Sequence, residues 1–339
     1  MRISVMEQTV AELTAPTKGI LAMDESTGTM EKRLKNVGVQ STEETRRSYR
    51  ESLFTAPGLN NYISGIILFE ETLNQRSAAG IAFPQLLAVQ GIVPGIKVDK
   101  GTQVLTNFPG DKFTLGLDGL AERLAGYKQL GARFAKWRAV FTIGEGIPSC
   151  RAIEVNADSL ARYAAICQEL DIVPIVEPEV LMDGSHDIAR CASVTEAVLE
   201  TVFHALHQHR VALEYMLLKP NMVLPGADCP VQATPADIAS ATLRCFRRAI
   251  PVAVPGINFL SGGQSDEAAT ANLNAINACS GQKPWQLSFS YGRALQAPAL
   301  RAWHGEAANV AAGQQALLKR AHLNSLARQG KYLLAMEAD

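Results

Sequence analysis

Eight short apolar runs recur along the 339-residue chain, and stretches with helical periodicity separate most of them. Their length and their β-branched residues are typical of buried strands. Regular alternation without a Gly/Ser-rich linker predicts an α/β fold, in which one parallel sheet closes into a single (β/α)8 TIM barrel. A doubly wound open sheet is the alternative. The predicted strands are 19–23, 63–69, 92–98, 132–141, 172–176, 213–218, 252–260 and 286–290.

Some segments lie outside this alternation. We expect extra helices at the N- and C-terminal ends, before Gly19 and after Ala307, and another within 41–59. Thr234 is a predicted N-cap ahead of Pro235, which suits the first position of a helix. Because the composition does not break along the chain, we predict one domain over residues 1–339. The helices predicted between strands are 117–130, 157–170, 193–209 and 235–249.

The net charge and the distribution of apolar residues argue against nucleic acid and membranes as partners and bear on the compartment. A formal net charge of −1 gives no overall attraction to nucleic acid or to a membrane surface. Charged groups interrupt the first ten residues, and no apolar stretch is long enough to cross a bilayer. The six cysteines contain no C-x-x-C pair, which favours reduced thiols. We therefore expect a cytoplasmic protein that binds anions through local sites.

One lysine stands where a predicted strand leaves the apolar interior. Lys219 follows the run Tyr215-Met-Leu-Leu, and Pro220 restricts it to extended backbone. Burial disfavours the ammonium form of a lysine and can make it a neutral nucleophile near neutral pH. A neutral amine attacks carbonyl carbons. Lys219 is thus a candidate nucleophile.

Polar side chains stand at the ends of other predicted strands, where barrel enzymes place their active groups. Lys136 with Arg138, and Glu177 with Glu179, are two residues apart, so each pair faces one side of a strand. The alternative is that both pairs lie on a strand face exposed to solvent. A central parallel sheet disfavours this alternative, because both of its faces are usually covered. We predict that both pairs face one pocket. The other strand-end residues are Asp24, Lys97, Ser261, Ser290 and Arg293.

Two glycine-containing loops follow the last two predicted strands. The segments 261–264 (SGGQ) and 291–293 (YGR) have the composition of a phosphate cradle, because glycine lets backbone N–H groups approach an anion and arginine adds charge. A plain tight turn would explain either segment alone. Their position in the two loops where barrels commonly bind phosphate favours a phosphate site.

Two other patterns carry less weight. The segment 144–149 begins like a dinucleotide fingerprint, but Ser149 replaces the third glycine and Pro148 interrupts the turn. His204, His207 and His209 form a cluster that suggests a metal site. We interpret it as a solvated helix end, because catalytic metal ligands usually converge from several elements.

Seven motifs, in order along the chain, closely resemble the class I, Schiff-base-forming fructose-bisphosphate aldolases, a family of (β/α)8 barrels. The resemblance runs from about Thr9 to Tyr332. It implies reversible cleavage of fructose 1,6-bisphosphate to dihydroxyacetone phosphate and glyceraldehyde 3-phosphate in glycolysis and gluconeogenesis, with no metal or cofactor. The motifs are 19–28, 95–100, 135–138, 175–179, 217–222, 260–265 and 288–295.

The resemblance also implies the role of each site residue. Lys219 would form the imine with the ketone carbon, Glu177 would transfer protons, and Asp24 would accept the C4 hydroxyl proton. Lys136 would keep Lys219 neutral and stabilise an oxyanion. The resemblance implies that Arg138 and Glu179 keep these charged side chains in position. The residues implied for the substrate are Ser261, Gly262, Ser290, Gly292 and Arg293 on the ketose-phosphate side, and Arg33, Lys97 and Thr29 for the far phosphate.

The C-terminal end departs from the family pattern. Many members end in a mobile tail with a terminal tyrosine, whereas this sequence ends at Asp339 without one, and Tyr332 precedes the tail. The sequence therefore leaves open how the enamine is protonated and whether fructose 1-phosphate is preferred. The family suggests a homotetramer.

Two other functions compete with this one. A metal-dependent aldolase or isomerase would use the histidine cluster, and a non-catalytic scaffold would keep the barrel only to bind partners. The presence of Lys219, Glu177 and Asp24 together opposes the scaffold.

Overall fold

A computed structural model describes residues 4–338 and contains a closed parallel barrel of eight strands. Each strand pairs with the next one along the chain, and the last pairs with the first. The predicted TIM barrel is confirmed. The barrel strands are β1 (Gly19–Met23), β2 (Ile63–Leu68), β3 (Val93–Lys97), β4 (Phe134–Phe141), β5 (Val173–Val180), β6 (Leu217–Leu218), β7 (Gly256–Phe259) and β8 (Gln286–Tyr291).

Helices surround the barrel and lie at both ends of the chain, as the sequence predicts. None of those in residues 4–338 is both long and apolar enough to cross a membrane. A two-stranded antiparallel hairpin, Thr102–Val104 with Lys112–Thr114, lies outside the barrel, and short 3-10 turns cover Leu59–Asn61, Leu213–Tyr215, Ala307–Asn309 and Leu334–Glu337. The α-helices are Val5–Leu13, Thr27–Asn36, Glu43–Phe54, Glu70–Asn74, Phe83–Val89, Leu120–Gln129, Cys150–Glu169, Ile188–Gln208, Pro235–Ala249, Asp266–Ala278, Arg293–Trp303 and Val310–Arg328.

The predicted ends of helices and strands agree best with the structure where neighbouring residues determine them. Helix Pro235–Ala249 begins as predicted, because Thr234 and the N3 residue Asp237 form a capping box. The predicted strand 213–218 is wrong over its first half, which is a 3-10 turn, so β6 has only two residues. The predicted strand 172–176 is too short, since β5 continues through Glu177 and Glu179.

The N-terminal helix closes the amino end of the barrel. Its residues Val10 and Leu13 join an apolar cluster with inward-facing strand residues such as Ile20. The ring of Phe134 fills the space beside Gly95, where a Cβ atom would lie only 2.2 Å from the ring. This end of the barrel is a packed core, which leaves the carboxyl end for chemistry.

The inward face of β4 and β5 changes from apolar to charged along each strand. On β5, Val173 and Ile175 belong to the apolar cluster, and Glu177 and Glu179 follow on the same face. Strand β4 repeats the pattern, and its Arg138 lies opposite Glu177 in the register. Period-two alternation thus brings the predicted charged pairs together at the carboxyl end of the barrel.

Candidate active site

A cavity of about 620 Å³ opens at the carboxyl ends of the strands. Every residue predicted for the site lines it, although these residues come from segments spread over most of the sequence. The side chains from the strands and their ends are Asp24, Lys97, Lys136, Arg138, Glu177, Glu179, Lys219, Ser261 and Ser290, and the remaining lining residues that were predicted are Thr29, Arg33, Gly262, Gly292 and Arg293.

Two lysines and two carboxylates form a buried charge cluster at the centre of the cavity. Lys219 Nζ lies 3.0 Å from one oxygen of Glu177, and Lys136 Nζ lies 3.0 Å from the other. Lys136 Nζ also lies 2.7 Å from Asp24 Oδ2. The contact of Lys136 with Glu177 is electrostatic, since Glu177 Oε2 has no aligned hydrogen-bond donor within residues 4–338. One carboxylate therefore contacts the side-chain nitrogens of both lysines.

The opposite charges in this cluster keep Asp24, Glu177 and Lys136 ionised, although burial disfavours their charged forms. Burial alone raises the pKa of Asp24, but the ammonium groups of Lys136 and Lys219 outweigh it and hold that pKa well below its usual range. Burial likewise opposes ionisation of Glu177, and Lys136 and Lys219 lower its pKa. Burial alone lowers the pKa of Lys136, but the negative charges of Asp24 and Glu177 outweigh burial and raise that pKa above its usual value. Lys136 is thus a permanent cation between two ionised carboxylates.

Strand β6 and the proline after it hold the candidate nucleophile in place. The backbone N–H of Lys219 donates to Val176 O at 2.8 Å, which continues the ladder to β5 beyond the end of β6. Leu260 N–H donates to Pro220 O at 3.0 Å and ties the same segment to the residue after β7. Lys219 is only 4% exposed, and that exposure is toward the cavity. The amine is therefore accessible to a carbonyl compound that binds in the cavity.

A second pair links the charge cluster to the loop after β7. Arg138 Nε donates a hydrogen bond to Glu179. Burial lowers the pKa of Arg138, but the negative charges of Glu179 and Glu177 outweigh burial and raise that pKa. The other oxygen of Glu179 lies 2.6 Å from where a Cβ atom on residue 262 would stand, so any other residue there would push the Glu179 carboxylate aside. Glu179 therefore sits directly against the predicted phosphate loop.

The predicted cradle contains free donors. Gly292 is the N-cap of helix Arg293–Trp303 and makes no side-chain cap, which leaves the first N–H groups of that helix directed at the cavity. Ser290 is 1% exposed, and its Oγ has no partner within the described part of the chain. The backbone of Gly263 has a φ of +77°, which favours glycine. This corner has the backbone and side-chain donors that an anion needs.

A second group of cations also lines the cavity. Arg33 and Thr29 project from helix Thr27–Asn36, whose N-cap is Ser26. Lys97 Nζ, at the end of β3, lies 2.7 Å from Asp99 Oδ1. The cavity is therefore lined by two further groups of residues that include cations, besides the lysine cluster.

The sequence reasoning missed several residues that line the cavity. Asp99 contacts both Lys97 and, at 3.9 Å, Lys136, and it accepts from the backbone N–H of Arg138. Glu25 is buried beside Arg33. Asp99 stands two residues after Lys97, just beyond the end of β3. The other lining residues that were missed are Ala22, Ser26, Phe69, Glu70, Lys100, Gly101, Thr102 and Leu260.

The histidine cluster lies far from this cavity in the fold. His204 and His207 are exposed near the end of helix Ile188–Gln208, and His209 follows it and contacts Asp158. No group of His, Cys, Asp or Glu side chains within residues 4–338 is arranged to hold a metal ion. Tyr332 does not line the cavity, and its hydroxyl donates to Glu337.

Comparison with known proteins agrees with the geometry. The family model for class I fructose-bisphosphate aldolase matches residues 5–339. The chain is 56% identical to human fructose-bisphosphate aldolase C over 94% of this chain and 88% of that protein. It is 56% identical to cytosolic fructose-bisphosphate aldolase 4 of Arabidopsis thaliana, over 95% and 82%, and 52% identical to a probable class 1 aldolase of Xanthomonas campestris pv. campestris, over 98% and 99%.

A solved structure supports the same assignment. It is the fructose-bisphosphate aldolase of Plasmodium falciparum, in a ternary complex with TRAP and a small-molecule inhibitor. It superposes with a TM-score of 0.95 at 52% identity and covers 97% of this chain and 95% of its own. Identity at this level over nearly the whole chain shows family as well as fold. The chain belongs to the class I fructose-bisphosphate aldolases, the glycolytic lyases that use a Schiff base.

Proposed function

We propose that this protein cleaves fructose 1,6-bisphosphate reversibly through an imine on Lys219. The observation that carries the proposal is the contact of Glu177 with both Lys219 and Lys136, at 3.0 Å each, inside a cavity that further cationic side chains line. Imine formation needs an amine, a nearby proton carrier and a fixed positive charge. This cluster supplies all three within contact distance.

Lys219 and Glu177 carry the first half of the reaction. The Lys219 amine attacks the C2 ketone carbon, and the nitrogen passes one proton through Glu177, which lies 3.0 Å away, to the C2 oxygen, so that the carbinolamine forms. Glu177 then takes a second proton from solvent and gives it to the C2 hydroxyl, which leaves as water while the nitrogen lone pair forms the imine. The protonated imine that results withdraws electrons from the C3–C4 bond. Lys136 stays charged throughout, because Asp24 and Glu177 raise its pKa.

Asp24 carries the cleavage step. Its pKa is held low, so it is ionised and can accept the proton of the C4 hydroxyl as the C3–C4 bond breaks. The C4 carbon leaves as the aldehyde of glyceraldehyde 3-phosphate. The electron pair of the broken bond remains on the three-carbon fragment as an enamine, which is protonated at C3 and hydrolysed to dihydroxyacetone phosphate. Lys136 lies 2.7 Å from Asp24 and stabilises the negative charge that develops on the C4 oxygen as it gives up its proton.

The two ends of the cavity bind the two phosphates. The ketose-side phosphate lies at the N-terminus of helix Arg293–Trp303, with Ser261, Gly262 and Ser290 on its other side. The far phosphate meets Arg33, Lys97 and Thr29, and the remaining residues proposed for the ketose side are Gly292 and Arg293.

The protein's organisation follows the family in our proposal. The barrel and its outer helices form one domain over residues 1–339, of which 1–3 and 339 lie outside the described part. We also propose a homotetramer in the cytoplasm. The cytosolic relative from Arabidopsis thaliana supports the compartment.

The test replaces Lys219 by methionine, which keeps an unbranched chain and removes the amine. Turnover of fructose 1,6-bisphosphate in a coupled assay is expected to fall by at least about 10⁴-fold, because the covalent route is lost. Circular dichroism should remain that of the wild type. The control is Lys128→Met, at a half-exposed lysine outside the cavity, which should keep full activity. Substantial turnover by Lys219→Met would refute the proposal.

A further inference from the structure

We infer that Glu25 and Gln296 form a specificity strut that orients Arg33 for the far phosphate and thereby favours bisphosphorylated over monophosphorylated ketoses. The inference rests on the proposed function, since it needs the far-phosphate site around Arg33. Glu25 and Gln296 belong to neither the lysine cluster nor the phosphate cradle. The strut consists of the Glu25 carboxylate, the Gln296 side-chain amide and the contact between them.

Glu25 stands between the strand that ends at Met23 and the helix that carries Arg33. It is 7% exposed, and one of its oxygens forms an ion pair with Arg33 Nη1. Its backbone carbonyl accepts from Arg50 Nη2 at 2.9 Å, and Arg50 is fully buried. Backbone and carboxylate are therefore both fixed. Within residues 4–338, Arg33 has no other ion pair or hydrogen bond, so its remaining nitrogens are free for an anion.

Gln296 ties Glu25 to the other phosphate site. It lies in the first turn of helix Arg293–Trp303 and is 2% exposed. Its Nε2 donates to Glu25 Oε1 at 2.8 Å and to Ala22 O at 2.7 Å. A single side-chain amide thus connects the helix at the ketose-side phosphate, the end of β1 and the carboxylate that holds Arg33.

The connection has a consequence for substrate choice. An arginine on an exposed rim samples many rotamers, and its guanidinium binds a phosphate strongly only when the fork is held in place. With Glu25 fixed by Gln296, one nitrogen of Arg33 is anchored and the others keep a set distance from the ketose-side helix. A substrate with phosphates at both ends uses this spacing, whereas fructose 1-phosphate has no group at the Arg33 end. The strut should therefore affect only the bisphosphate.

The test compares two substrates in steady-state kinetics of the full chain. Gln296→Met removes the donor to Glu25 and keeps the side-chain length. Glu25→Gln removes the charge that anchors Arg33 and keeps the shape. For both variants, kcat/KM for fructose 1,6-bisphosphate is expected to fall about ten-fold or more, mainly through KM, since hydrogen bonds to a charged group are lost. For fructose 1-phosphate, kcat/KM should change by less than about two-fold.

A matched control distinguishes the strut from general destabilisation. Gln314 also donates from Nε2 to a backbone carbonyl, Ser52 O at 2.7 Å, but lies outside the cavity, so Gln314→Met should leave the ratio of the two substrates unchanged. An equal loss on both substrates in Gln296→Met, or no loss on either, would overturn the inference. A wild type that cleaves neither substrate would instead refute the proposed function.

Discussion

The replacement Lys136→Met removes the central cation of the active site, and the structure indicates what this costs. Lys136 Nζ lies 2.7 Å from Asp24 and 3.0 Å from Glu177. Glu177 keeps its contact with Lys219, but Asp24 loses its only ion pair within the described residues. Removal of one partner from a buried pair costs about 3–5 kcal/mol. We expect the free energy of unfolding to fall by about 3 kcal/mol, because the Asp24 side chain retains some exposure.

Chemical denaturation in urea measures this change, and a second variant separates charge from packing. In the double variant Lys136→Met/Asp24→Asn, the unpaired carboxylate is gone, so most of the lost stability should return. Turnover should stay at least about 10²-fold below that of the wild type in both variants, because the stabilising cation is missing. Wild-type stability in the single variant, or a further loss in the double variant, would refute the account of the cluster.

The effect of Lys136→Met should also depend on pH in a defined direction. In the wild type, burial raises the pKa of Asp24 but Lys136 and Lys219 hold it below the unfolded value, so Asp24 contributes stability that is lost as the pH falls. Without Lys136, burial has less opposition and the pKa of Asp24 rises. The difference in stability between variant and wild type should therefore shrink between about pH 7 and about pH 4. A difference that grows on acidification would contradict this.

Three further predictions concern residues outside the charge cluster. Gly95→Ala places a methyl group 2.2 Å from the ring of Phe134, and should lower the free energy of unfolding by about 1–3 kcal/mol in urea. Arg328→Met removes the donors to the backbone carbonyl oxygens of residues 14, 15 and 18, and should lower the melting temperature by several degrees in calorimetry, through a loss of about 2 kcal/mol. Burial raises the pKa of the Cys245 thiol to about 12, so iodoacetamide at about pH 8 should label the exposed Cys150 and spare Cys245 in the native protein, as mass spectrometry would show.

Features with a local cause were predictable from the sequence. The spacing of two between Lys136 and Arg138, and between Glu177 and Glu179, places each pair on one strand face, and the structure has both pairs in the cavity. The N-cap at Thr234 was visible for the same reason, because a capping box involves neighbouring residues. Alternation of strands and helices favoured the closed barrel over a doubly wound open sheet, and the barrel is confirmed.

Features that depend on distant partners were not predictable. Glu25 is significant because of Gln296, which stands 271 residues later in the chain. Asp99 gains its importance from Lys136 on the neighbouring strand. Strand β6 was predicted too long, because an apolar run does not reveal where the adjacent strands leave it unpaired, and β6 pairs with its neighbours only through Leu217 and Leu218. Each of these properties comes from the packing of the barrel.

The central claim is that Lys219 forms the covalent intermediate, and reductive trapping tests it most directly. Borohydride added together with dihydroxyacetone phosphate reduces an imine to a stable secondary amine. Peptide mass spectrometry should then find the three-carbon adduct on Lys219 and on no other lysine, in proportion to the activity lost. An adduct that maps to another lysine, or full activity after treatment, would contradict the account.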